Sequence, residues 1–159
     1  MTERRLLVLR HAKSDWPEGV ADHDRPLGKR GRRDAPNVGQ WMATNGYLPD
    51  VVVCSTAQRT RQTWELIAAK LPSVPEVTFD PRAYGASAQT LLYLARELPD
   101  EFRTALLIGH NPGVSEFAGI GFPTAGIAVL EFDGDWPEFA PDQAHRAAFA
   151  IPAEIARKM

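Results

Sequence analysis

The stretch Leu6-Leu7-Val8-Leu9-Arg10-His11 decides the fold. A short continuous apolar run suits a strand buried on both faces, as in a parallel sheet. Arg10 and His11 end that run with polar groups. Similar runs recur at Val51-Val52-Val53-Cys54, at Ala105-Leu106-Leu107-Ile108, and from Gly126 to Phe132. Glu76 to Phe79 and Ala147 to Ile151 are weaker strand candidates.

Helical patterns lie between the runs. Ala35, Val38 and Met42 share one face, and Gly46 is placed to end that helix. Pro36 either opens this helix or kinks a longer one beginning near Lys29. Trp64, Ile67, Ala68 and Leu71 form a second face, stopped by Pro72, and Leu91, Leu94, Ala95 and Leu98 a third, stopped by Pro99. Pro112 is expected at the first position of a short helix. Asp133 to His145 reads as a surface loop. The alternation predicts an α/β fold, a three-layer α/β/α sandwich with a mostly parallel central sheet. Residues 1–159 read as a single domain, without repeat or linker.

In open α/β sheets, ligands bind beyond the carboxyl ends of the strands. Arg10-His11 follows the first run. Ser55 follows the second, with Arg59 at the start of a helix. Gly109-His110-Asn111-Pro112 follows the third. No carboxylate sits immediately beside these three ends. Arginine presents a rigid fork of donors that matches phosphate geometry. A neutral histidine can attack phosphorus and split one hard displacement into two easier ones. A second histidine and two arginines can offset charge in a phosphoryl-transfer transition state. Taken singly, each residue has a plainer structural reading. Four compatible residues at three separate strand ends point to one phosphate pocket.

These residues resemble the motifs of the histidine phosphatase superfamily. Leu9-Arg10-His11-Ala12-Lys13-Ser14 is similar to its Arg-His signature. The stretch from Ser55 to Thr63 is similar to its second motif, with Arg59 as the matching arginine, and Gly109-His110-Asn111-Pro112 to its third. Asp24-Arg25-Pro26-Leu27, Tyr84-Gly85 and Thr124-Ala125-Gly126 look like the SixA-type phosphohistidine phosphatase branch.

The resemblance implies a phosphatase with His11 as nucleophile, passing through a phosphohistidine intermediate. Arg10, Arg59 and His110 would hold the phosphate. No metal or other cofactor is implied, and the four histidines lack paired ligand spacing. Ala12 stands where many members carry Gly, and Trp16-Pro17 departs from the Asn of mutase-like members.

No general acid is identifiable; Asp15, Asp24 and Asp80 are candidates that also fit loop or turn roles. A basic alkoxide leaving group needs protonation, whereas an imidazole, with a free pKa of about 6.5, needs far less help. The expected substrates are therefore phosphohistidine, other phosphoramidates or activated phosphomonoesters. The alternatives are a phosphatase of small phosphorylated metabolites and a non-catalytic phosphoprotein-binding module.

Ser14, Arg25 and Tyr84 are candidates for the substrate rim, with Trp16 near the entrance. Arg25, Lys29, Arg30, Arg32 and Arg33 form a basic cluster that fits either a solvated helix face or a guide for anionic substrate. Cys54 and Arg59 are separated by four residues that include no Gly, unlike the loop of cysteine-dependent phosphatases, so Cys54 reads as a small buried hydrophobe.

Composition narrows the setting. The 159 residues are 44% hydrophobic and 24% charged, which is globular rather than disordered. The net charge of -2 does not suggest nucleic-acid binding, and one cysteine forbids an internal disulfide. No apolar run approaches the roughly 20 residues of a membrane helix. A cytoplasmic protein is expected. Its partner would be a phosphorylated protein, such as a phosphohistidine domain, or a small phosphorylated molecule, with neither nucleic acid nor membrane involved.

Overall fold

The computed structural model describes residues 3–159. Six strands form one mixed sheet: β1 (Glu3–Arg10), β2 (Val51–Ser55), β3 (Glu76–Asp80), β4 (Thr104–Gly109), β5 (Ile127–Asp133) and β6 (His145–Ala150). Their spatial order is β3-β2-β4-β1-β5-β6. The pairs β3–β2, β2–β4 and β4–β1 are parallel, while β5 is antiparallel to both β1 and β6. The expected three-layer sandwich is borne out, with a reversed strand next to its parallel part.

Five helices cover the sheet: α1 (Lys29–Thr44), α2 (Gln58–Ala68), α3 (Ala88–Arg96), α4 (Gly113–Ala118) and α5 (Pro152–Arg157). Strand residues alternate between the two faces. Leu6, Val8, Val51, Leu107, Ala128 and Leu130 pack with α3 and α4. Leu7, Leu9, Val52, Ile108, Ile127 and Val129 pack with α1, α2 and α5. The central strands are apolar at consecutive positions because both of their faces are covered. None of the described helices is long and apolar enough to cross a membrane.

α1 begins at Lys29 and runs through Pro36, so the longer of the two expected helices forms. Gly46 follows it with a φ of +74°, the left-handed conformation that glycine adopts without a Cβ clash. Pro112 caps α4 from outside rather than occupying its first position.

Residues 133–145 differ from the expected surface loop. They form short 3-10 turns at Trp136–Glu138 and Pro141–Gln143. Trp136 and Phe139 are fully buried, and Trp136 Nε1 donates to the Phe102 carbonyl at 2.8 Å. Phe139 packs edge-on to Phe132 and stacks with Phe117. Prolines and charges surround these aromatics in sequence and conceal their packing.

Candidate active site

The site forms where β1, β2 and β4 end and β5 begins. Arg10 and Gly109 are paired in the β1–β4 register, so His11 and His110 leave neighbouring strands side by side. Their ring centroids lie 5.1 Å apart. The return of β5 closes the edge from the opposite direction. Ala125 N donates to the carbonyls of Arg10 and His11 at 3.1 and 3.0 Å. Ala125 does so at a φ of +60°, a strained conformation for a residue with a side chain.

The His11 ring is oriented by its own neighbour. Its Nδ1 lies 2.7 Å from the Ala12 carbonyl oxygen. A carbonyl only accepts, so Nδ1 carries the proton and donates it. In the neutral ring, Nε2 then keeps its lone pair. Burial pushes the His11 pKa down to about 3, helped by His110, Arg59 and Arg10, while the Ala12 carbonyl partly offsets the shift. The ring is therefore neutral at pH 7. Ala12 is fixed in turn, because its N–H donates to Thr63 Oγ1 on α2 and that hydroxyl donates to the Arg59 carbonyl.

His110 shares a 2.8 Å hydrogen bond between its Nε2 and Ser55 Oγ at the end of β2. Burial also lowers its pKa, to about 4, with Arg59 adding to the effect and Asp22 opposing it. Arg10 Nη1 donates to the Phe122 carbonyl at 3.0 Å. Among the described residues, three buried nitrogens of this site have no hydrogen-bond partner: Arg10 Nε, Arg59 Nε and His110 Nδ1. Orphaned buried polar nitrogens are costly. An anion accepting from all three would offset that cost.

Asp22 was absent from the sequence-derived set. Arg59 Nη1 donates to its carbonyl at 2.7 Å and Nη2 to its Oδ2 at 3.2 Å. Tyr84 donates its hydroxyl to the same carboxylate, and Arg25 Nη1 donates to Oδ1. These bonds, led by that of Tyr84, hold the Asp22 carboxyl well below the usual carboxylate range. It is ionised at pH 7 and cannot supply a proton there. Of the acid candidates, Asp15 and Asp24 are exposed, and Asp80 is taken up by Arg82.

The rim candidates separate. Tyr84 stands edge-on to His110, with 5.5 Å between centroids. Ser14 and Arg25 lie within the loop instead. Arg25 is 6% exposed and donates to Ser14 Oγ, the Asp15 carbonyl and Asp22. A guanidinium so engaged braces the loop and is not free to guide substrate. Trp16 is 75% exposed and lies over the Arg25 guanidinium. Lys29, Arg30, Arg32 and Arg33 are exposed on α1. Cys54 is fully buried, and burial raises its thiol pKa to about 12.

Two neutral buried histidines and two arginines at one end of the sheet suit a phosphate-handling α/β protein. The model of the histidine phosphatase superfamily (branch 1) matches residues 6–106, and the chain belongs to that superfamily. An uncharacterized protein of Mycobacterium tuberculosis is 37% identical over 161 residues, covering 91% of this chain and 99% of the relative. Among solved structures, a chain from Nakamurella multipartitia, assigned as a phosphohistidine phosphatase SixA, is 30% identical. It superposes with a TM-score of 0.82 over 96% of this chain and 98% of its own. A chain from Agrobacterium tumefaciens with the same assignment is 28% identical, with a TM-score of 0.79 over 94% and 98%. Family and neighbours support a phosphatase.

Proposed function

We propose that this phosphatase hydrolyses phosphohistidine, other phosphoramidates or activated phosphomonoesters, without a metal, through a covalent intermediate on His11. The observation that carries this reading is the Nδ1 hydrogen bond from His11 to the Ala12 carbonyl, which keeps the Nε2 lone pair on a ring that burial holds neutral. His11 Nε2 attacks phosphorus while the bond to the leaving group breaks. Arg10, Arg59 and His110 hold the phosphoryl oxygens through nitrogens that lack protein partners. Water then attacks the phospho-His11 phosphorus, releasing inorganic phosphate and restoring the imidazole.

The leaving group decides the substrate class. Asp22 contacts the pocket but is held ionised by Tyr84, Arg25 and Arg59. A phosphorylated imidazole protonated at its other nitrogen departs as neutral imidazole and needs no acid. An alkoxide needs one. Phosphohistidine on a protein is thus the favoured substrate over simple alkyl phosphates.

Brief incubation with a radiolabelled phosphodonor tests this. Acid-labile, alkali-stable label on the wild type but not on His11→Ala is expected, with faster turnover of phosphohistidine than of alkyl phosphates. Faster alkyl phosphate hydrolysis favours a metabolite phosphatase. No label and no turnover on any donor leaves only a binding module.

A further inference from the structure

The geometry points to a second recognition site beside the phosphate pocket: the groove between α1 and α5, bearing Arg30 and Arg33, receives an acidic side chain flanking the phosphohistidine of a protein substrate. This inference rests on the phosphohistidine reading above and adds what selects among such proteins.

The groove has a volume of about 390 Å³. One wall is Pro123-Thr124, on the segment that also builds the phosphate pocket. Phe122 accepts from Arg10, and Ala125 donates to the His11 carbonyl. Thr124 Oγ1 accepts from Arg30 Nη2 at 3.1 Å, on the groove side of the same segment. Residues 122–125 thus border both the phosphate pocket and the groove, and a peptide bound with its phosphoryl group at His11 would cross this segment into the groove.

Its charge selects the ligand. Arg30 and Arg33 both turn their Nε atoms toward Asp34, at 3.7 and 3.4 Å. Asp34 is only 5% exposed, so the carboxylate is a fixed part of the floor. Two guanidiniums against one carboxylate leave a single positive charge. Among the described residues, the Nη atoms of Arg33 have no hydrogen-bond partner. A monoanionic carboxylate balances this charge, whereas a phosphate dianion exceeds it. Ile151 and Ala156 on the α5 side give an apolar surface for the stem of a Glu side chain.

Phosphohistidine peptides of equal length, flanked by either Glu or Gln, test the inference. The wild type should show a KM about fivefold lower for the Glu peptide, as one exposed charge pair of about 1 kcal/mol supplies. Arg33→Gln should erase that difference, with kcat and the rate on phosphoramidate itself unchanged. Arg33→Glu should reverse the preference toward Lys flanks. Both arginines are exposed, so the fold should tolerate these changes.

An unphosphorylated Glu peptide should shift the amide resonances of Ile151 and Ala156 at millimolar concentration. Equal KM values for the two peptides, or a preference that survives Arg33→Gln, would overturn the inference while leaving the hydrolysis reading intact. Absent hydrolysis of both peptides and phosphoramidate overturns the hydrolysis reading. The resonance shifts then decide the groove alone, and their absence removes it.

Discussion

Arg59 grips Asp22 at two points, donating to its main-chain carbonyl and to its carboxylate. One residue lies in the first turn of α2 and the other in the loop that follows His11, so this grip ties the loop to the phosphate pocket. Asp22→Asn keeps the carbonyl contact and weakens the other. The half-exposed pair contributes about 1 kcal/mol. Its loss should lower Tm by about 3 °C. KM for an aryl phosphate should rise, because Arg59 is less firmly held. Thermal melts and initial rates on one preparation check both effects.

The two histidines set a pH window. Their folded pKa values lie at about 3 for His11 and about 4 for His110, against about 6.5 unfolded. Between those limits the unfolded chain binds more protons, so stability falls as pH drops from about 6.5 toward 4. Urea midpoints should show this slope in the wild type and a flatter one in His11→Gln. For the free enzyme, kcat/KM on an aryl phosphate should hold from pH 7 to about 5 and fall below about 4.

Gly31 faces the loop after His11 at very short range. A Cβ there would lie 2.1 Å from the Lys13 carbonyl oxygen. Gly31→Ala must push that backbone away, at a cost of about 1–3 kcal/mol. The same displacement moves the Ala12 carbonyl that orients His11. Tm and kcat should fall together, whereas Gly121→Ala, with open space around it, should change neither.

Trp136→Ala should cost about 3–5 kcal/mol, as for other fully buried aromatics. It also orphans the Phe102 carbonyl. Chemical denaturation measures the loss, and a cost below 1 kcal/mol would show that the 133–145 segment contributes little to the core.

Cys54 should resist iodoacetamide at pH 8 in the folded protein, because burial keeps its thiol protonated. Cys54→Ala should retain the wild-type rate on an aryl phosphate.

Sequence carried the strand ends well. An apolar run stopped by Arg10-His11, by Ser55 or by Gly109-His110 has a local signature that tertiary contacts do not erase. The grip of Asp22 on Arg59 had none, since it depends on a loop folding back across α2. Arg25 misled for a related reason: an arginine beside Pro26 looks available until its donors find Ser14, Asp15 and Asp22. The reversed direction of β5 was also hidden, because a strand buried on both faces has the same composition in either orientation. In residues 133–145 the turn formers outweighed Trp136 and Phe139, whose partners Phe102 and Phe117 are distant in sequence.

The placement of β4 between β1 and β2 has a consequence for synthesis of the chain. His11 and Arg59 are translated early, yet the strand that sets their separation begins only at Thr104. A nascent chain that stops short of it has both residues and no fixed distance between them. Affinity for a phosphate mimic would therefore be acquired late on the ribosome, and its onset along a series of stalled chains would mark when the central strand threads into place.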